Sequence, residues 1–515
     1  MRVLFVKHDP SYAEPLGLMQ LSAALKAAGH ETRLIFSYQP DVLVKVQAYR
    51  PGVIAYSSTT GVHRTYAAIN RWLKRRAGFP FFAAFGGPHV TYFPEFLEQN
   101  PEVDGICRGE GDEALPELAD NLAAGRDIRH ILNWRIRADG VIHENEVRPL
   151  VADLNRLPFP DREILYQADP YLGRFGLKRF LASRGCPFHC SYCFNHLFNR
   201  LYQGKGEIVR HISAGALIEQ MALVKERYGL KFVKFVDDNF PVGDDFLEEF
   251  VGRYPKRIGC PFFLNLRANY VTEQSVGRLK KAGCVAVNMA VESGNDFIRN
   301  QVLKRRMSRE QILSAAALIK KHGLILTTQN IIGNPGEDFA MALETYRINL
   351  EMGTDFAECF LLQPYPGTEI RAYAQDTGCY SGQGDSIRES YWVASPLKFK
   401  SAQEKRRIEN FHKLFSCLVR HPRLFGLGLR LTGVRPNRLL VFFQRYYDML
   451  VIKRVVMPVR FSLMDYWINI GRVGSFVTNF ILAEKKKPWE GEGEDRDQKS
   501  EVSNQDHGVS PTNNK

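Results

Sequence analysis

The chain has little of what marks an exported or membrane-spanning protein. Its first residues, MRVLFVKHDP, read as a strand and a loop and lack the long apolar core of a signal peptide. No uninterrupted apolar run approaches the ~18 residues of a spanning helix, so no transmembrane segment is expected. The nine cysteines are an odd number and, one triplet apart, are scattered, which leaves no visible disulfide framework. A reducing, cytoplasmic setting is the natural expectation. Net basic charge is nearly absent over most of the length. The net charge is +13, and residues 401–487 alone hold 17 Lys/Arg against 5 Asp/Glu. That speaks against a generally basic nucleic-acid binder and for one local basic surface.

What the chain does have is length and a core. At 515 residues with 45% hydrophobic content it is expected to form about two to four domains. Residues 1–150 alternate strand and helix signals, with strands expected at Val3–Val6, Thr32–Phe36, Val53–Tyr56, Phe81–Phe85 and Val103–Cys107. Repeated βα units predict an α/β fold, a doubly wound, Rossmann-like parallel sheet. Ligands on such sheets bind at the C-terminal strand ends. Those ends carry Lys7-His8-Asp9-Pro10, Ser57-Ser58-Thr59, Gly86-Gly87-Pro88-His89 and Arg108-Gly109-Glu110-Gly111-Asp112-Glu113. The last of these could instead be a capped helix N-terminus. Residues 151–177, with Leu157-Pro158-Phe159-Pro160, read as a linker.

Residues 178–375 repeat the βα unit six times, the size of a partial (βα)6 barrel. Its strand ends carry Asp237-Asp238-Asn239, Arg267-Ala268-Asn269, Glu292-Ser293-Gly294, Gly333-Asn334-Pro335-Gly336 and Tyr365-Pro366-Gly367. Chemistry in barrels gathers at these ends. The first strand delivers Cys186-Pro187-Phe188-His189-Cys190-Ser191-Tyr192-Cys193, three thiols at Cx3CxxC spacing. Three cysteines on one loop can wrap one face of a [4Fe–4S] cube and leave its fourth iron open. Tetrahedral zinc is the alternative, with His189 or His196 as fourth ligand. Cys260, Cys284 and Cys359 have no spacing that suggests a second ligand set.

The cysteine spacing, with an aromatic Tyr192 between the second and third thiols, resembles the signature of the radical S-adenosylmethionine (SAM) superfamily. The loops of residues 1–150 resemble the cobalamin-binding domain that precedes the barrel in many of its members. The resemblance implies three cofactors: a [4Fe–4S] cluster on Cys186, Cys190 and Cys193, SAM, and cobalamin. It implies that Tyr192 lies beside adenine and that Asp237 and Asp238 meet the methionine amino group. Arg267 would contact the SAM carboxylate and Glu292 the ribose. Gly333 and Pro335 would form a turn that lets adenine or cluster approach, and Tyr365 would face substrate or relay electrons. Ser57, Ser58, Gly86 and Gly87 would line the cobalamin slot. The family's D-x-H-x-x-G cobalt-ligand motif is missing, since His8-Asp9 has the order reversed. Cobalamin is therefore expected without a histidine on cobalt, with His8 or His89 as the alternative ligand.

The implied reaction is hydrogen abstraction by a 5′-deoxyadenosyl radical, then methyl transfer from methylcobalamin to an unactivated carbon of a small-molecule or lipid-like substrate. It implies an external electron donor such as flavodoxin or ferredoxin. A cobalamin-dependent cyclase or rearrangement enzyme would use the same residues, and a non-catalytic metal-binding scaffold is the reading from another class. Residues 376–487 form a basic, largely helical C-terminal region. Within it, 402–430 is expected to pack on the barrel and cover the active site, and 431–487 is a candidate for peripheral membrane contact. Residues 488–515, rich in Glu, Gly, Asp, Ser and Asn, are expected to be a disordered tail.

Overall fold

The computed structural model describes residues 1–8, 13–382, 394–435 and 438–457. The expectations for Asp9, for the tail 488–515 and for most of 431–487 fall outside these residues.

Two sheets organise the chain. The first contains β1 (Arg2–Lys7), β2 (Glu31–Phe36), β3 (Val53–Ser57), β4 (Phe82–Gly86), β5 (Gly105–Cys107), β6 (Trp134–Ala138) and β7 (Val141–Glu144). Their order is β2-β1-β3-β4-β5-β6-β7. The pairs from β2 to β5 are parallel, whereas β5–β6 and β6–β7 are antiparallel. The parallel strands are short apolar runs buried on both faces, as helix-covered strands must be. One face packs Phe5, Leu25, Leu118 and Trp134, and the other Leu4, Ile54, Trp72 and Phe85. The antiparallel extension was not among the expected strands.

The second sheet contains β8 (Leu177–Phe180), β11 (Phe232–Phe235), β12 (Phe262–Asn265), β13 (Cys284–Glu292), β14 (Ile325–Ile332) and β15 (Phe356–Leu361). Its order is β15-β14-β13-β12-β11-β8, every pair parallel. Four of the intervening helices start on side-chain caps. Thr272 with Ser275, and Ser308 with Gln311, form reciprocal capping boxes, and Ser213 and Asp338 cap two more. The first expected barrel strand, Arg179–Ser183, is divided. β8 ends at Phe180, and Ser183–Arg184 forms β9, which pairs antiparallel with Arg210–His211, β10.

The C-terminal helices do not cover the strand ends as expected for 402–430. Helix Ala402–Arg420 lays Ile408, Phe411 and Phe415 on Ala357, Cys359 and Leu361 of β15 and on Ile332 of β14, closing the flank of the open barrel. Farther on, Val451 and Val456 plug its base among Phe232, Phe263, Ala286 and Phe356. Among the described residues no helix is long and apolar enough to cross a membrane.

Candidate active site where the two sheets meet

The cysteine loop is fastened from both sides. Ser191 donates from its amide to the Leu303 carbonyl at 3.2 Å and from its hydroxyl to the Val302 carbonyl at 2.6 Å. Asn199 Nδ2 donates to the Cys186 carbonyl at 3.1 Å. Cys190 is buried, and Cys186 and Cys193 are half-buried. Burial pushes the Cys186 thiol up and the Cys193 thiol up to about 12. These groups hold their protons until a metal displaces them.

Donors surround the sulfurs. Asn239 Nδ2 lies 3.7 Å from Cys186 Sγ, and the guanidiniums of Arg267 and Arg305 each lie 3.6 Å from Cys190 Sγ. Three thiols on one loop, met by hydrogen-bond donors, fit a [4Fe–4S] cluster. They do not fit zinc as well. His189 is exposed, and His196 turns Nδ1 to the Cys193 carbonyl. Among the described residues no three His, Cys, Asp or Glu side chains gather as around a single ion. Cys260, Cys284 and Cys359 are buried core thiols in no disulfide.

The other barrel residues divide. Tyr192 donates its hydroxyl to Glu292 Oε1 at 2.7 Å, and both line a cavity of about 290 Å³ with Gln329, Phe360, Gln363 and Tyr365. Glu292 ends β13 with φ +67 and is 6% exposed, so burial raises its carboxyl. Tyr365 packs its ring 5.2 Å from Phe194, next to Cys193.

Asp237 and Asp238 do not act as a pair. Asp237 is fully buried, and its Oδ1 accepts from the Ala182 amide at 2.9 Å, the Ser183 amide at 2.5 Å and the Ser183 hydroxyl at 2.6 Å. It therefore anchors the strand that leads into the cysteine loop. Its Oδ2 has no partner, and burial raises the carboxyl to about 7. Asp238 is exposed at the mouth and accepts from Asn195 at 3.0 Å.

Arg267 is turned onto the cysteine loop, stacked 3.7 Å over the Phe188 ring and bonded to Asn269. The Gly333–Pro335 turn lies against the C-terminal region. A Cβ on Gly333 would meet Ile408 and Phe399 at 3.4 Å, and Asn334 bonds Glu337 within the turn.

On the first sheet, the β3 and β4 loops interlock. Ser58 donates from its amide and its hydroxyl to the Gly86 carbonyl at 2.8 and 3.0 Å, and the His89 amide donates to the Ser58 carbonyl at 3.0 Å. Gly87 has φ +89, and a Cβ there would stand 2.8 Å from the Ser58 carbonyl oxygen. Only glycine fits. Ser57, Gly86 and Gly87 line a narrow slot of about 60 Å³ walled by Phe5, Ala55 and Ala84. Through Ser57, Gly87 and Gly109 it adjoins a cavity of about 360 Å³ between the sheets, lined also by Gln20, Pro158 and Ser183. An uncharged slot of glycines, alanines and apolar side chains, opening on a larger cleft, suits a large cofactor such as cobalamin. Both candidate histidines are engaged within the protein. His8 Nδ1 is 2.9 Å from Ser37 Oγ, and His89 is buried, 3.1 Å from Thr60 Oγ1 and stacked 3.7 Å from His63.

The β5 loop does something that sequence spacing does not reveal. Arg184 grips Asp112 at 2.8 and 3.0 Å, and Arg210 grips Glu110 at 2.7 and 3.0 Å. The Glu110 amide donates to the Tyr202 hydroxyl at 2.8 Å. Arg184 precedes Cys186 by two residues, so this latch ties the first sheet to the cysteine loop. Elsewhere on the contact, Tyr92 stacks on Phe194 at 5.0 Å.

Residues 180–348 match the model of the Radical SAM superfamily, and residues 3–119 match that of the B12 binding domain. The chain belongs to the cobalamin-binding radical SAM family. An uncharacterized methyltransferase of Pyrococcus horikoshii is 27% identical over 70% of this chain and 78% of its own length. The anaerobic magnesium-protoporphyrin IX monomethyl ester cyclase of Rubrivivax gelatinosus is 24% identical over 81% of this chain and 77% of its own. The radical SAM methyltransferase TsrM of Kitasatospora setae, solved with tryptophan and a SAM analogue, superposes with a TM-score of 0.62 at 18% identity, covering 77% of this chain and 80% of that one. For this radical SAM protein that likeness establishes the fold.

Proposed function

We propose that the protein is a cobalamin-dependent radical SAM enzyme that methylates an unactivated carbon of a small-molecule substrate. The observation that carries this is the latch. Arg184, two residues from Cys186, holds Asp112 in the wall of the cleft beside the glycine slot. One ion pair thereby fixes the cluster loop relative to the cobalamin slot.

When bound, the cluster, SAM and cobalamin supply an electron, a hydrogen-abstracting 5′-deoxyadenosyl radical and a methyl group. The chain's own residues do the rest. Cys186, Cys190 and Cys193 hold the cluster. Tyr192, braced by Glu292, and Tyr365 wall the cavity above it. Asp238 offers a carboxylate to the ammonium of SAM. Ser57, Gly86 and Gly87 hold the cobalamin tail. The Tyr92–Phe194–Tyr365 stack shields the mouth from water, which protects a radical from side reactions. Electrons come from an external donor of the flavodoxin or ferredoxin kind.

The test uses reconstituted protein with SAM, a reductant and candidate substrates. Deoxyadenosine and S-adenosylhomocysteine, both formed in step with product, are expected. Deoxyadenosine without S-adenosylhomocysteine would favour a cyclase or rearrangement, a reading supported by the Rubrivivax relative. No SAM cleavage by cluster-loaded protein would sink both.

Peripheral membrane contact is supported by helix Arg438–Val451, which exposes Leu439, Phe442, Phe443, Tyr446 and Met449. Val451 and Val456 plug the barrel base, so deleting the region would disturb the fold. Leu439→Glu with Phe442→Glu is the clean test. Reduced sedimentation with anionic vesicles is expected, and unchanged binding would remove the idea.

A further inference from the structure

The segment Val302–Met307 backs the cysteine loop. On either side of Arg305, Lys304 and Arg306 take φ values of +52 and +50. Both bear side chains, and such residues are held in the left-handed region only where their surroundings over-determine them. The surroundings here are rigid. Arg299, 0% exposed, donates to the Met307 carbonyl at 2.9 Å and the Ser293 carbonyl at 3.1 Å. Asn300 exchanges two hydrogen bonds with the Met307 backbone, and the Arg305 amide donates to the Arg299 carbonyl at 2.9 Å.

The result is one aimed side chain. Arg305 is 6% exposed; its Nη1 lies 3.6 Å from Cys190 Sγ and 3.2 Å from the Tyr192 hydroxyl, and its Nη2 donates to the Ala290 carbonyl. Arg267 reaches the same sulfur from β12's end at 3.6 Å and donates through Nη2 to the Arg305 carbonyl. Two guanidiniums are thus buried side by side. Two like charges this close are stabilised when a negative group sits at the sulfur both share.

We propose that Arg267 and Arg305 are a paired donor set to the Cys190 thiolate that raises the reduction potential of the cluster. The inference rests on the cluster assignment made above. A one-electron reduction adds one negative charge to the cluster. Nearby cations and hydrogen bonds to a ligating sulfur favour that state, and both are levers known to set such potentials. Cys190 receives both guanidiniums, whereas the contact to Cys186 is the neutral amide of Asn239. The three thiolates are therefore electronically unequal.

The experiment compares wild type, Arg305→Gln, Arg267→Gln and Arg305→Lys as reconstituted full-length proteins. Iron and sulfide per chain are measured first. The midpoint potential is then read by redox titration followed by electron paramagnetic resonance, without SAM or substrate. Each glutamine variant is expected to load a full cluster and to titrate at a more negative potential. The expected shift is about tenfold in the reduction equilibrium, ~59 mV for a one-electron couple. Arg305→Lys is expected between wild type and Arg305→Gln. Full clusters with unchanged midpoints in both glutamine variants would overturn the proposal. So would unchanged midpoints accompanied by weakened SAM binding, which would reassign the pair to the SAM carboxylate. Should a glutamine variant fail to load, Arg305→Lys decides, because a wild-type midpoint there would also overturn it. Wild type that binds no cluster would instead sink the cluster assignment itself, a separate outcome.

Discussion

The two halves of the site are built from opposite materials. The barrel mouth buries charged side chains: Asp237, Arg267, Glu292 and Arg305 are each less than a tenth exposed. The first sheet's slot is uncharged, walled by glycines, alanines and apolar side chains such as Phe5, Leu115 and Trp134, and the neighbouring Ser58 hydroxyl is spent on the Gly86 carbonyl. Buried charge is costly unless a ligand or partner repays it, whereas an uncharged slot costs little while empty. The barrel half is therefore expected to be fragile without its cofactor, and the slot half insensitive to chemistry but intolerant of added atoms.

The largest effects should separate the halves cleanly. Replacing Cys186, Cys190 or Cys193 by Ala is expected to abolish cluster loading and SAM cleavage while cobalamin binding persists. Iron content and the bound-cobalamin absorption spectrum read the two independently. Gly87→Ala is the reciprocal lesion. Its Cβ collides with the Ser58 backbone, and its φ disfavours any side chain. Cobalamin affinity should fall at least about tenfold, equivalent to ~1.4 kcal/mol, with cluster content unchanged. If either lesion removed both cofactors, the contrast would be broken and the halves would form one cooperative unit.

The latch is where such a unit could arise. The Arg210 side chain is 3% exposed and bidentate on Glu110. Arg210→Met would leave the half-buried Glu110 with Arg184 at 3.3 Å as its remaining cation, a smaller loss than the about 3–5 kcal/mol of breaking a fully buried pair. A lowered thermal midpoint is expected, with weaker cobalamin retention although no slot residue is touched. Unchanged retention would show that the slot holds its ligand without help from the barrel.

Legibility in the sequence follows the same division. The cysteine triplet was readable because its ligands are adjacent in the chain. Most strands were readable because buried parallel strands are short apolar runs. The latch was not, since Glu110 and Arg210 are 100 residues apart and nothing in either stretch marks the other. Arg305 sits among Lys304 and Arg306, and a run of three basic residues reads as a solvated surface until its backbone is seen. Asp237 and Asp238 carried an overlooked signal. Consecutive residues of an extended chain point to opposite sides, so a neighbouring pair at a strand end cannot share one ligand. β6, Trp-Arg-Ile-Arg-Ala, likewise shows a strand's alternation that could have been read.

Asp237 gives a smaller effect with a definite pH dependence. Asp237→Ala would orphan up to three donors on Ala182 and Ser183, at about 1–3 kcal/mol each, and loosen the lead into the cysteine loop. Asp237→Asn mimics the protonated acid. The folded group titrates near 7, well above an ordinary aspartate. Between ~4 and 7 the native state then holds a proton that the unfolded chain has released, so its contribution to stability declines as pH rises through that window. Wild type and Asp237→Asn should melt alike near pH 5, and wild type should melt lower near pH 8. Parallel profiles would mean that Asp237 is ionised in the folded protein.

The smallest expected effect is none, and it bears on the slot half alone. A histidine that binds cobalt must present a free nitrogen to the cleft. His8 spends Nδ1 near the Ser37 hydroxyl, and its amide meets the Tyr66 hydroxyl. His89 is 7% exposed, packed between His63 and Phe96, with Nδ1 near Thr60. Releasing either ring would break a part-buried contact. His8→Ala and His89→Ala should therefore leave the absorption spectrum of bound cobalamin unchanged, although His89→Ala should cost some stability through the lost stack. A spectral shift in either variant would place a side chain on the cobalt. The slot half would then carry a ligating side chain, and the contrast between the halves would fail at its simplest point.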